Sequence, residues 1–181
     1  QREIGLAIGE PPVARGYTPS IYAEFPKLLE RSGNFKEGSI TGVYTVLVEG
    51  DDTNEPVADT VRGILDGHIV LSRKLANENH FPAIDVNASI SRLMSNIVDE
   101  EHKAAASALR DILSIYAKNE DLISIGTIGL IKAVTTSKAG SNPKLDFAIS
   151  KINQVNAFLM QKVDEHFTKE EILEMMKQIL A

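Results

Sequence analysis

Apolar residues recur along this chain with two different periods, and the change falls near residue 98. Before it, short apolar runs alternate with turn-forming residues. After it, apolar residues recur every three to four positions, as on the buried stripe of a helix. Residues 1–8 read as a helix stopped by Gly9, with Pro11-Pro12 beyond it. Thr18 is placed to cap a helix with Pro19 at its first position, and Ile21, Phe25, Leu28 and Leu29 repeat at helical spacing. A turn is expected over residues 33–38. A buried strand is expected over residues 40–48, which are rich in β-branched residues and include Tyr44.

A short helix through Val57, Val61, Ile64 and Leu65 is broken by Gly67. Residues 68–71 read as a second buried strand, Ser72 as the cap of a helix reaching Asn77, and residues 83–86 as a third strand. This alternation predicts a mainly parallel α/β sheet. Beyond the change of period, Asp99 is expected to cap a long helix with Leu109, Ile112, Leu113 and Tyr116 on one face. Residues 122–134 are apolar but interrupted by Gly126 and Gly129, and residues 137–143 read as a loop. Leu145, Ile149, Ile152, Val155 and Leu159 mark a further helix, and Thr168-Lys-Glu-Glu171 is a capping box opening the last one. The expected division is 1–98, α/β, and 99–181, helical.

Composition narrows the function classes. With 181 residues, 43% hydrophobic and 24% charged, the chain can build a core. A net charge of -6 argues against the basic footprint of nucleic-acid binding. The absence of cysteine excludes disulfides and thiolate metal sites. No apolar run approaches the roughly 18 residues that span a bilayer. The chain opens on Gln1 in helix-like text, so a fragment or processed product is expected.

Several positions carry candidate chemistry. Arg92 follows Ser89-Ile-Ser91. An arginine forks onto phosphate oxygens bidentately, and one delivered across a subunit interface stabilises charge on a transferred phosphoryl group. Locally, a surface salt bridge serves as well. Phe81, with Pro82 beside it, can stack on a base or sit in the core ahead of a strand. The segment Pro11, Pro12, Val13, Ala14, Arg15, Gly16 and Tyr17 is stiffened by proline and carries an arginine and an aromatic. It suits either a partner contact or a plain connector. Asp51 and Asp52 follow the expected strand, where they would orient metal-bound water or a neighbouring cation, or form a solvated turn with Asn54 and Pro56. His68, His80, His102 and His166 show no metal spacing.

Four blocks together resemble the C-terminal part of the flagellar and type III secretion ATPases. They are Gln1-Arg-Glu-Ile-Gly-Leu-Ala-Ile-Gly-Glu-Pro-Pro; Arg15-Gly-Tyr-Thr-Pro-Ser with Leu28-Leu-Glu-Arg-Ser-Gly33; Gly38-Ser-Ile-Thr-Gly-Val-Tyr-Thr-Val-Leu-Val-Glu-Gly-Asp-Asp52 with Leu65-Asp-Gly-His-Ile-Val-Leu-Ser-Arg73; and the run from Phe81 to Met94. Asn54-Glu-Pro-Val-Ala-Asp59 strengthens the secretion-ATPase resemblance. The resemblance implies the C-terminal half of a RecA-like parallel-sheet core followed by an all-helical domain, and an ATP hydrolase using Mg2+. By position, Arg92 matches the finger that reaches the neighbouring subunit's nucleotide. Phe81 and Pro82 match the adenine-stacking pair, and residues 11–17 match the loop lining a central channel, where a coiled-coil stalk protein is gripped. Implied partners are other copies in a homohexamer, a regulatory stator-like protein, export substrates and their chaperones. The implied location is cytoplasmic, peripheral at the inner membrane.

Two departures qualify this resemblance. No Gly-x-x-x-x-Gly-Lys-Ser/Thr loop occurs in the chain, and in this family that loop, the Walker-B strand and the water-orienting glutamate lie upstream. The isolated chain is therefore expected to be inactive. Between Gly126 and Gly140 the sequence is longer than the family's usual passage to Ser141-Asn-Pro. Rival expectations are a rotary ATP synthase subunit and a non-catalytic module that binds stalk or chaperone. A chain holding part of such a sheet is also expected to expose an edge and apolar surface.

Overall fold

A computed structural model describes residues 1–52, 54–124 and 142–181, with only the backbone of Asp51. The unusual passage from Gly126 to Gly140 lies outside the described residues. The chain divides into two compact units, Gln1–His68 and Ile69–Ala181.

The first unit opens on α1 (Arg2–Ala7), which ends at Gly9 with φ 87°, a left-handed position natural to glycine. Next comes α2 (Pro19–Leu29), with Pro19 at its first position and Thr18 at its cap. The Thr18 hydroxyl does not cap the helix. It hydrogen-bonds the Ser20 Oγ at 3.2 Å, and the residue is fully buried. Gly5 explains that burial, because a Cβ built on it would lie 2.4 Å from Thr18 Oγ1. Replacing Gly5 with alanine is therefore expected to destabilise this unit by about 1–3 kcal/mol through overpacking. Gly63→Ala, where a Cβ meets nothing, is expected to be neutral or to stabilise its helix by up to about 1 kcal/mol. Urea unfolding midpoints of the two variants check this, and equal midpoints contradict it.

The expected turn over residues 33–38 is a hairpin, β1 (Gly33–Phe35) paired antiparallel with β2 (Gly38–Ile40) in the register Gly33–Ile40, Asn34–Ser39, Phe35–Gly38. The strand expected over residues 40–48 stops at Ile40. A β-rich sequence becomes a strand only where another strand satisfies its backbone, and among the described residues none pairs with 41–48. Val43 is 92% exposed there. The unit continues through α3 (Pro56–Ile64), and α2 packs on both α1 and α3. Ile21, Leu29, Ala58 and Val61 are its buried apolar residues.

The second unit begins with β3 (Gly67–Leu71), which straddles the division, α4 (Arg73–Asn77) and β4 (Ile84–Ser91). β3 and β4 form a two-stranded sheet. The Ser72 hydroxyl caps α4 by accepting from the Leu75 amide. Asn79 ends the helix in a left-handed conformation, φ 64°, a cap that asparagine tolerates. β4 outruns the expected third strand by five residues and leads into α5 (Met94–Ile97).

Three long helices follow: α6 (Glu100–Ser124), α7 (Pro143–Leu159) and α8 (Lys169–Leu180). Asp99 Oδ1 accepts from the His102 amide at 2.8 Å at the start of α6. Thr168 and Glu171 close the expected capping box reciprocally. The helices share one core: Ala105, Leu109 and Ile112 from α6, Ala148, Ile152 and Val155 from α7, Met176 and Ile179 from α8. The first two sets are spaced i, i+4, i+7, the stripe one helix buries against its neighbours. The chain thus carries mixed α/β structure first and an all-helical part after it.

Candidate functional site

The candidate residues sit on separate pieces of local architecture, each explained by its own hydrogen bonds. Residues 11–17 form a compact loop rather than an open connector. The Val13 amide donates to the Tyr17 carbonyl at 2.7 Å, and Ala14–Gly16 make one 3-10 turn. Arg15 holds φ 55° there, a left-handed conformation that costs a non-glycine residue of order 1 kcal/mol or more. Three carboxylates offset that cost. The Arg15 guanidinium lies 3.1 Å from Asp52 Oδ2, 3.4 Å from Glu55 Oε2 and 3.8 Å from Glu49 Oε2. Glu55 is the most telling partner, because its side chain is only 7% exposed and a buried carboxylate requires a cation or donors.

Asp52 serves both expected roles: Oδ2 faces the Arg15 cation, and Oδ1 accepts from the Asn54 amide at 3.0 Å in a solvated turn. Nothing in the linear sequence announces the pairing, because the partners lie 34 to 40 positions apart. At the loop's base, Glu10 accepts from the Ser20 amide at 3.1 Å, and that bond with the Ser20 hydroxyl holds the Glu10 carboxyl below its ordinary range. At its end, Arg2 lies 6.0 Å from the centroid of the Tyr17 ring.

Phe81 and Pro82 stand between α4 and β4, joined by a cis peptide bond. The preceding residue, His80, is buried, and its amide closes the α4 turn on the Leu75 carbonyl at 3.0 Å. Phe81 is not the core residue its position before a strand allows, since it is 51% exposed. Its backbone is nonetheless held. The Gln161 amide donates to the Phe81 carbonyl at 3.0 Å, and the Ser72 amide to the Ala83 carbonyl at 2.8 Å.

Arg92 is exposed in the bend between β4 and α5. It therefore emerges from the far end of the strand that Phe81 precedes. Between them β4 is irregular. Asp85 Oδ1 accepts from the Ala88 amide at 2.9 Å, and the Ser89 hydroxyl donates to the Asp85 carbonyl at 2.6 Å while accepting from Val70. Arg110 of α6, a residue that no sequence signal singles out, donates to the Val86 carbonyl at 3.1 Å and the Ser89 carbonyl at 2.7 Å. Among the described residues, no three His, Asp or Glu side chains are placed to hold a metal ion. None of the described helices is long and apolar enough to cross a membrane.

Comparison with known proteins places these features. Residues 1–91 match the nucleotide-binding domain of the ATP synthase alpha/beta family, and residues 98–178 match the C-terminal domain of the type III secretion ATPase EscN. The flagellum-specific ATP synthase of Bacillus subtilis (strain 168) is 55% identical over 171 residues, covering 94% of this chain and 37% of that protein. The assembled EscN of the enteropathogenic E. coli type III secretion system is similar with a TM-score of 0.87 at 43% identity, over 99% of this chain and 42% of that one. EscN solved in complex with its central stalk EscO gives a TM-score of 0.80 at 42% identity, over 99% and 40% of the two chains. This chain spans less than half the length of each of these relatives. Both matched segments and the shared fold agree: the chain belongs to the ATP synthase alpha/beta family, in its flagellar and type III secretion branch.

Proposed function

We propose that this chain is the C-terminal part of an ATPase that energises flagellar or type III protein export. The observation that carries the proposal is the presentation of two exposed side chains, Phe81 and Arg92, at opposite ends of one anchored strand. In this reading Phe81 stacks on adenine in its own subunit's site, with Pro82 beside it. Arg92 reaches the phosphates in the neighbouring subunit's site. The reaction is transfer of the γ-phosphoryl group of ATP to water. Arg92 stabilises charge that develops on the transferred group. Mg2+, when bound with ATP, would supply charge neutralisation at the phosphates, and the described residues of this chain offer no cluster that would hold it.

Residues 1–98 supply part of the nucleotide-binding core, and residues 99–181 form the helical domain. The family matches break between residues 91 and 98, which supports that division. The working unit is a homohexamer, in which Pro11, Pro12, Val13, Ala14, Arg15, Gly16 and Tyr17 face a coiled-coil stalk protein. The assembled EscN supports self-association, and its complex with a central stalk supports a stalk partner, by similarity. A stator-like regulator, export substrates and chaperones complete the set of partners, at the cytoplasmic face of the inner membrane.

The test is made on the protein expressed from its complete reading frame. Stacking of an aromatic on a base is worth about 1–3 kcal/mol, so Phe81→Ala is expected to weaken nucleotide binding by roughly 5- to 150-fold. Phe81→Tyr is expected to keep most of the affinity. Fluorescent-nucleotide titration measures both. Unchanged affinity in Phe81→Ala removes the stacking role.

A further inference from the structure

We infer that Arg110 is a positioning residue that sets where Arg92 is delivered. The inference rests on the finger reading of Arg92 and deepens it. Within β4, Asp85 bonds the Ala88 amide and the Ser89 hydroxyl three and four residues on, spans that a fully extended strand does not bridge, so backbone groups here turn to side chains for partners. The Asp85 carboxylate takes one of them, the Ala88 amide. Arg110 takes two more, the carbonyls of Val86 and Ser89, through a single Nη2. Ser89 lies three residues before Arg92, which directly follows the strand's last residue, Ser91. The end of the strand is therefore tied to α6 by a charge-assisted bond of 2.7 Å, made by an exposed guanidinium that reaches two carbonyls at once.

Further contacts of different kinds tie this segment to α6 and to the connection that follows α7. Lys74 of α4 meets Glu120 of α6 at 2.6 Å, with the two side chains 60% and 42% exposed. Such a surface pair contributes little. The Gln161 amide holds the Phe81 carbonyl, at the opposite end of the segment from Arg92. Arg110 thus grips the half of β4 next to Arg92 from α6, while Phe81 has an anchor of a different kind. This separation makes a specific prediction. Loss of Arg110 disturbs the transition-state contact of Arg92 and leaves ground-state binding through Phe81 in place.

In the protein expressed from its complete reading frame, Arg110→Ala is expected to lower kcat for ATP hydrolysis by about tenfold to a hundredfold, with KM changed less than about twofold. Arg110→Lys keeps one charged donor and is expected to recover part of the loss. Hydrogen exchange of the peptide covering residues 84–91 should accelerate in Arg110→Ala and stay unchanged in Arg92→Ala. If Arg92→Ala is inactive while Arg110→Ala keeps wild-type kcat, the positioning role is overturned and the finger reading stands. The role is likewise overturned if kcat falls with no change in exchange over residues 84–91, or if KM rises in step with the loss. If Arg92→Ala is fully active, the finger reading and the positioning role fail together. Circular dichroism of the Ala variant itself separates a local effect from a fold defect.

Discussion

Replacing Arg92 with alanine is expected to lower ATP turnover by about 10³-fold or more, in the protein expressed from its complete reading frame, with nucleotide affinity nearly unchanged. The magnitude decides between two roles that local sequence leaves open. An exposed salt bridge is worth about 0–1 kcal/mol, so a merely structural Arg92 predicts a rate within a few-fold of wild type. A finger acting on the transition state predicts a loss larger than any surface ion pair can cause. Arg92→Lys keeps the charge and loses the planar fork, so it should recover only a small part of the activity. Steady-state kinetics together with nucleotide titration separates the outcomes. A loss that appears as weaker binding at constant kcat would place Arg92 in ground-state recognition.

The largest effect on stability is expected in the helical core. Ile112 is 3% exposed and belongs to the cluster with Leu109, Ala148, Ile152, Val155 and Met176. Ile112→Ala removes buried methyl groups and leaves a cavity, so it should destabilise this part by about 2–5 kcal/mol. Leu47 provides the contrast. It is as apolar, but it lies in the unpaired segment and is 87% exposed. Leu47→Ala should change the stability of this chain by less than about 0.5 kcal/mol. Denaturant titrations of both variants followed by circular dichroism check the pair. Equal losses would mean that the helical core does not sit where these contacts put it.

That contrast also explains what the sequence could and could not reveal. The helices after residue 98 were legible because each carries its own periodicity and its own caps. Thr168 and Glu171 satisfy each other within one turn, and Leu109 and Ile112 mark a buried stripe without reference to any other segment. Residues 40–48 carry an equally strong β signal, yet they form no strand beyond Ile40. A strand depends on a partner, and none of the described residues supplies one. The same dependence makes β3 a strand whose Ile69 and Leu71 remain exposed.

At the candidate site, the sequence nominates single residues but not the groups packed around them. Phe81 and Arg92 stood out because aromatic and guanidinium groups at such positions suit stacking and phosphate contact. The groups that hold them do not stand out. Arg110 reaches β4 across 21 and 24 positions, and Arg15 meets Glu49, Asp52 and Glu55 across 34 to 40. Such pairings follow from how elements pack, and no local pattern encodes them. Thr18 shows the converse. Its place before Pro19 predicts a capping hydroxyl, but burial against Gly5 redirects the side chain to Ser20.

The central claim is that each nucleotide site is shared, with Phe81 acting in its own subunit and Arg92 in the next. Mixed rings test it most directly. Subunits carrying Arg92→Ala are combined one to one with subunits carrying Phe81→Ala, and ATP hydrolysis is measured at a nucleotide concentration too low to fill the Phe81→Ala sites. Random mixing gives roughly a quarter of the sites an intact Phe81 and a neighbour's intact Arg92. The predicted result is a rate well above that of either variant alone. A rate no higher than the average of the two unmixed variants would contradict the shared site.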